Sequence, residues 1–147
     1  SGACYPEVHL EAADEVSDLR NLRKKVDAGA EHLVSQLFFD NNKFYDFLSK
    51  VRIAGIDAPV EAGIMPVTNK AQIKRMVTMC GAALPEKFER ILERYGENKE
   101  ALFDAGMVYA VNQIVELISS GVDGIHIFTM NNPVVAGRIC EEIKNLI

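Results

Sequence analysis

From Asp14 to Ala28, Val16, Leu19, Leu22 and Val26 recur at the spacing of one helix face, while Asp18, Arg20, Arg23, Lys24 and Lys25 fall on the others. The pattern predicts an amphipathic helix with Gly29 as its stop. Leu33 to Phe39 is then a nearly continuous apolar run, of the kind carried by a strand covered on both faces. Asp40 or Asn41 caps the next helix, whose Phe44, Phe47, Leu48 and Val51 share a side and which ends at Gly55. Pro59 to Met65 predicts a second strand, and Pro66-Val67-Thr68-Asn69 leads into a helix with Ile73, Met76, Val77 and Cys80 on one face. Pro85 suits the first position of a helix bearing Phe88, Ile91, Leu92 and Tyr95 and ended by Gly96. Asn98 caps a long helix with Leu102, Val108, Tyr109, Ile114, Leu117 and Ile118 as its apolar positions. Ile125 to Met130 predicts another strand, and Asn132-Pro133 opens a last helix with Val135, Ile139 and Ile143 inward.

Strands alternating with helices imply parallel pairing through right-handed crossovers, so the fold class is α/β. Ala3-Cys4-Tyr5, read as the tail of a further strand, brings the count to four βα units in one domain over residues 1–147. A closed barrel takes eight such units and about 250 residues. The alternative, a small doubly wound sheet, lacks its usual phosphate loop: no G-x-G-x-x-G or G-x-x-x-x-G-K-[ST] follows any predicted strand.

With 16 Lys+Arg against 21 Asp+Glu the net charge is −5, which argues against a nucleic-acid partner. The 48% apolar and 25% charged composition is that of a chain able to bury a core. No uninterrupted apolar run approaches the roughly 20 residues of a membrane span. Cys4, Cys80 and Cys140 are widely separated and form no C-x-x-C pair, which fits a reduced, cytoplasmic protein and neither a disulfide framework nor a zinc ribbon. Ser1-Gly2-Ala3 carries no initiator Met, so the expectation is that Ser1 is not the natural start.

In parallel α/β folds the chemistry sits where strands give way to helices. There lie Tyr5, Glu7, His9 and Glu11; then Gln36 and Asp40; then Thr68 and Asn69; then Thr129, Asn131 and Asn132. Glu7, His9 and Glu11 alternate, so on an extended segment they would point one way and imitate a metal site, but no fourth ligand is implied and no metal residue is assigned. Gln36 inside an apolar strand needs partners for its amide, in the core or on a ligand. The basic positions Arg20, Arg23, Lys24 and Lys25 read either as a solvated face or as a phosphate-binding one. His126, within a strand, reads as a satisfied histidine rather than a catalyst.

Four collinear segments carry a resemblance: Tyr5-Pro6-Glu7-x-His9; Asp27-Ala28-Gly29-Ala30; Gln36-Leu37-Phe38-Phe39-Asp40; and Gly63-Ile64-Met65-Pro66-Val67-Thr68-Asn69, with Ile125 to Asn131 following as a last strand. Together they resemble the methylenetetrahydrofolate reductase family, over almost the whole chain. The resemblance implies half of a (β/α)8 TIM-type barrel, units five to eight, from a flavoprotein oxidoreductase that reduces 5,10-methylenetetrahydrofolate to 5-methyltetrahydrofolate, a step of one-carbon metabolism and methionine biosynthesis. It implies FAD as cofactor, with NADH or NADPH as electron donor. Tyr5 and His9 would contact flavin; Asp18, Asn21, Lys24 and Lys25 would hold its ribityl, phosphate and adenosine parts. Gln36 and Gln72 would contact folate or nicotinamide in turn on one flavin face. No catalytic residue falls in this half, since the family's acid and its flavin-tuning Asp lie in the first four units. Three positions depart from the family pattern: Asn132 stands where many members have Arg, Lys70 where an aromatic is common, and Met76 where a Phe stacks.

A half-barrel leaves two strand edges and an inner face uncovered, so the expectation is an inactive isolated half that associates with the missing N-terminal half or with itself as a homo-oligomer. Two alternatives remain: a non-catalytic flavin- or nucleotide-binding or assembly module with a half-barrel fold, and a flavin-independent barrel enzyme acting on pterins.

Overall fold

A computed structural model describes residues 1–147. The elements run β1 (Gly2–Cys4), α1 (Glu15–Asp27), β2 (Leu33–Ser35), α2 (Asn41–Ile53), β3 (Val60–Ile64), α3 (Lys70–Cys80), α4 (Glu86–Tyr95), α5 (Lys99–Ser119), β4 (Gly124–Ile127) and α6 (Pro133–Ile143). All four strands are parallel and lie in the order β1-β2-β3-β4, with Gly2 beside Leu33, Leu33 beside Val60 and Ala62 beside Ile125. Each crossover therefore advances one place in the same direction. A doubly wound sheet would reverse that order at a switch point, whereas a barrel keeps it, so the chain has the topology of half a (β/α)8 barrel.

Alternation along the short strands sorts the core. Cys4, Leu33, Val60, Ala62 and Ile64 are buried in one apolar cluster with Leu22, Phe44, Val51, Ile114, Leu117 and Ile139 from α1, α2, α5 and α6. A smaller cluster gathers past the strands' carboxyl ends, where Leu37, Phe39, Met65, Val67, Ile73 and Phe88 enclose α3 and α4. The five junction residues Asp14, Asp40, Asn69, Asn98 and Asn132 each cap a helix by accepting from a backbone N–H two or three residues on. Asp40, Asn69 and Asn132, which the sequence offers as loop chemistry, are thereby engaged in holding helix starts.

The predicted strand from Leu33 to Phe39 is only half a strand. The ladder stops where Gln36 N–H donates to Cys4 O at 2.8 Å; beyond it the Phe38 carbonyl accepts from Gln113 Nε2 at 3.1 Å and the Phe39 carbonyl from the Tyr109 hydroxyl at 2.6 Å. Side chains of α5 replace a neighbouring strand, yet Leu37 and Phe39 still face the small cluster while Phe38 faces the main core. The apolar alternation survives without the ladder that defines a strand.

Other details differ from expectation for local reasons. Val16, in the first turn of α1, is 64% exposed, whereas Leu22 of the same predicted face is buried. Val108 is 55% exposed because the buried stripe of α5 runs through Met107, Ala110, Ile114 and Leu117, to which it does not belong. Pro85 occupies the N-cap, one place earlier than predicted, with ψ of 147°. His126 projects from the sheet face opposite the helices, where its Nδ1 lies 3.8 Å from Glu61 Oε2. By length and composition α5 is long and apolar enough to cross a membrane, which the run-length criterion missed; seven of its residues, Leu102 to Leu117, are buried within the protein.

Candidate functional site

Tyr5 emerges at the carboxyl end of β1, and the chain behind it coils tightly. Val8 N–H donates to Tyr5 O at 3.3 Å and Ala12 N–H to His9 O at 2.9 Å. Val8 has φ of 66°, a left-handed conformation that a β-branched residue rarely adopts. That single turn breaks the alternation on which Glu7, His9 and Glu11 would share a face. The Glu7 carboxylate instead accepts from Ala83 N–H, while Glu11 N–H donates to His9 Nδ1 at 3.1 Å, so the three do not converge as a metal site. With its lone pair on Nδ1 taken, the His9 ring presents Nε2–H as a donor.

The His9 backbone N–H donates to Asp18 Oδ2 at 3.0 Å, which joins the coil to α1. Asp18, Asn21 and Lys25 stand at i, i+3 and i+7, one helix face, and that face looks onto Tyr5 and His9. Lys25 Nζ donates to Ala3 O at 2.8 Å and lies 5.3 Å from the Tyr5 ring centroid. The Tyr5 and His9 rings meet edge to face at 4.4 Å. Together these residues bound a cleft of about 270 Å³. Burial, reinforced by the Asp18 charge, pushes the Tyr5 phenol up, so its hydroxyl keeps its proton at neutral pH.

A second cleft of about 300 Å³ shares Tyr5 and His9 and adds Gln36, Leu10, Met79 and Cys80. Gln36 uses its carboxamide oxygen locally, accepting from Leu37 N–H at 2.9 Å, and its NH2 group makes no hydrogen bond within the chain. That resolves the question the sequence posed: half of the amide is structural and half is free at a cleft. Gln36 and Tyr5 also border a third hollow of about 300 Å³ on the sheet's open face, beneath Phe128. Tyr5 is common to all three.

Two residues of the expected set stand apart. Lys24 lies one position from Lys25, about 100° around α1, and lines neither cleft. Gln72 closes the first turn of α3 on itself: its Oε1 accepts from the Thr68 hydroxyl at 3.1 Å, and its Nε2 lies 3.9 Å from Met65 Sδ. The basic face on α1 is also partly engaged, with Arg23 bonded to Asp27 and to Gly55 O. Lys70, one of the departures from the family pattern, is ion-paired with Glu97. Sequence reasoning missed Leu10, Met79 and Cys80, because only the packing of the α3–α4 connection brings the end of α3 against the coil after β1.

Fold and site define a class: a parallel βα half-barrel with ligand-sized clefts at the carboxyl ends of its first two strands. A model of the family described as methylenetetrahydrofolate reductase matches residues 1–144, and the chain belongs to that family. It is 34% identical over 143 residues to the 5,10-methylenetetrahydrofolate reductase of Escherichia coli, an alignment covering 97% of this chain and 48% of that protein. It is 36% identical over 138 residues to methylenetetrahydrofolate reductase (NADH) 1 of Arabidopsis thaliana, covering 88% of this chain and 23% of the relative. Against methylenetetrahydrofolate reductase 2 of Saccharomyces cerevisiae it is 36% identical over 132 residues, with 88% and 22% covered. The chain thus spans about half the length of the bacterial relative and under a quarter of the plant and yeast ones.

Proposed function

We propose that this chain is the carboxyl-terminal half-barrel of a reductase that converts 5,10-methylenetetrahydrofolate to 5-methyltetrahydrofolate with FAD and NADH or NADPH. The observation that carries the reading is the convergence of Tyr5, His9, Asp18, Asn21 and Lys25 on one cleft at the end of β1, within a family match over residues 1–144. FAD supplies the hydride-carrying ring. The donor set suits such a group: the ammonium of Lys25 offsets a pyrophosphate, the Asn21 amide and Asp18 carboxylate take and give hydrogen bonds to ribityl hydroxyls, and Tyr5 with His9 offers flat apolar surface edged by two polar hydrogens. The free NH2 of Gln36 orients a carbonyl of either substrate without adding charge, which is what successive occupancy of one ring face requires. Lys24 acts only at long range, and Gln72 reaches a substrate only by releasing Thr68.

The edge strands β1 and β4 each have one neighbour, and Ala3, Glu61 and His126 lie on the uncovered face. These features support covering by four further βα units, and without that cover the isolated chain is inactive and self-associates. The test is an absorbance spectrum of the complete gene product followed by anaerobic NADH. A flavin spectrum that bleaches, with methylenetetrahydrofolate restoring the colour, sustains the reading. Flavin bound without reduction leaves a binding module, and a colourless protein removes the flavin assignment altogether.

A further inference from the structure

The coil after β1 and the connection after α3 are far apart in sequence and meet at two points. Glu7 reaches across with both carboxylate oxygens, which accept from Ala83 N–H at 3.2 and 3.1 Å. Two residues back from Ala83, Gly81 has φ of +67°, and a Cβ there would lie 2.6 Å from Leu10 Cδ2, so the Leu10 side chain is seated on the bare backbone of the helix end. Between those points opens the cleft shared by Tyr5, His9, Gln36, Met79 and Cys80. One of its walls is the coil and the other is the end of α3. The left-handed turn at Val8 is what aims Glu7 toward Ala83 while leaving His9 aimed into the cleft.

We infer that Glu7 is a positioning residue, which clasps the α3–α4 connection to the β1–α1 coil and so sets the width of the cleft between Tyr5 with His9 on one side and Met79 with Cys80 on the other. The hydrogen bonds joining the two segments are both made by this one carboxylate, and the apolar half of the clasp, Leu10 on Gly81, has no directional component to fix the distance. A carboxylate sharing one N–H between its oxygens holds the amide in line with its symmetry axis, and the charge on the acceptor strengthens that hold. Glu7 touches no proposed ligand itself. Its action is on the placement of groups that do, and in that respect the inference rests on the reductase reading.

The test uses the complete flavin-loaded protein with Glu7→Ala and Glu7→Gln. In Glu7→Ala, amide exchange of the segment around Ala83 is expected to rise about tenfold, and KM for the folate about tenfold, with flavin occupancy and kcat for the NADH half-reaction near those of the parent. Glu7→Gln, which keeps one acceptor oxygen, restores most of both. A simple loss of fold would instead lower flavin occupancy and raise exchange throughout the sheet, and that result overturns the positioning role. Unchanged exchange at Ala83, or faster exchange with unchanged KM, also overturns it. Should the complete protein bind no flavin, the exchange arm still decides the clasp: exchange confined to the Ala83 segment supports it, and parent-like exchange removes it.

Discussion

Gly106, in the middle of α5, lies so close to Val67 that a Cβ on it would stand 1.8 Å from the Val67 carbonyl oxygen. The helix backbone therefore packs directly on the loop that carries β3 into α3. Gly63 is a second such place, where a Cβ would meet Ser35 O at 2.3 Å and Phe128 Cε2 at 2.7 Å. Gly63 N–H also donates to the buried Ser35 hydroxyl at 2.8 Å, which ties β3 to β2 at the depth of the clefts.

Gly106→Ala is expected to lower stability by about 3 kcal/mol, because the obstacle is backbone and cannot swing aside. Helix propensity opposes this by only about 1 kcal/mol. Urea unfolding followed by circular dichroism checks it, with Gly137→Ala as the control: nothing lies within 4 Å of a Cβ there, so that change is neutral or stabilising.

At the opposite end of the sheet, Asp123 Oδ2 accepts from Val60 N–H at 2.8 Å and from Arg52 Nη2 at 3.0 Å, while Arg52 Nη1 holds the carbonyls of Ile56 and Ala58. Asp123→Ala frees a strand N–H and the arginine together. Both charged groups are about a third exposed, so the expected loss is about 1–2 kcal/mol rather than the larger figure for a buried pair. A denaturation midpoint that falls without a change in slope is the signature.

Burial pushes the Cys4 thiol up to about 12, with Lys25 only partly offsetting it, whereas Cys140 is exposed. At pH 8 iodoacetamide should therefore label Cys140 in the native protein and reach Cys4 only after unfolding, as read by peptide mass spectrometry. Labelling of native Cys4 at the rate of Cys140 would contradict the packing of β1 against α1.

Burial also raises the Glu7 carboxyl above its ordinary value, against the pull of Ala83 N–H and Lys43 and with a small push from Asp40. The folded chain thus binds this proton more tightly than the unfolded one. Its contribution to stability is greatest below about pH 4.5 and declines as pH rises through the raised value. Urea midpoints measured from pH 4 to 7 should show a shallower fall, or a steeper rise, in Glu7→Gln than in the parent. Parallel profiles would show that Glu7 titrates alike in both states.

How much of this was legible in the sequence differs between elements. The capping residues and the stops at Gly29 and Gly55 are local: each depends on a side chain two or three residues away or on a left-handed φ, so short-range pattern was sufficient. The Leu33–Phe39 run was legible as apolar and alternating, but its ladder depended on where α5 placed Gln113 and Tyr109, some seventy residues later. The candidate site residues Asp18, Asn21 and Lys25 came from the resemblance, and their i, i+3, i+7 spacing on α1 is what lets them share one cleft. Lys24 and Gln72 rested on resemblance, and neither lines the clefts at Tyr5.

The sequence by itself determined the order of strands and helices, their caps and the family, because each rests on local backbone preferences or on residue identity at fixed spacing. Only the tertiary structure decided which polar residues meet. A left-handed turn at Val8 separated Glu7 from His9, and long-range packing put Ala83, Met79 and Cys80 beside them. Such meetings depend on distances between segments that no periodicity encodes, and they are settled by the close packing of side chains and bare backbone at Gly63, Gly81 and Gly106.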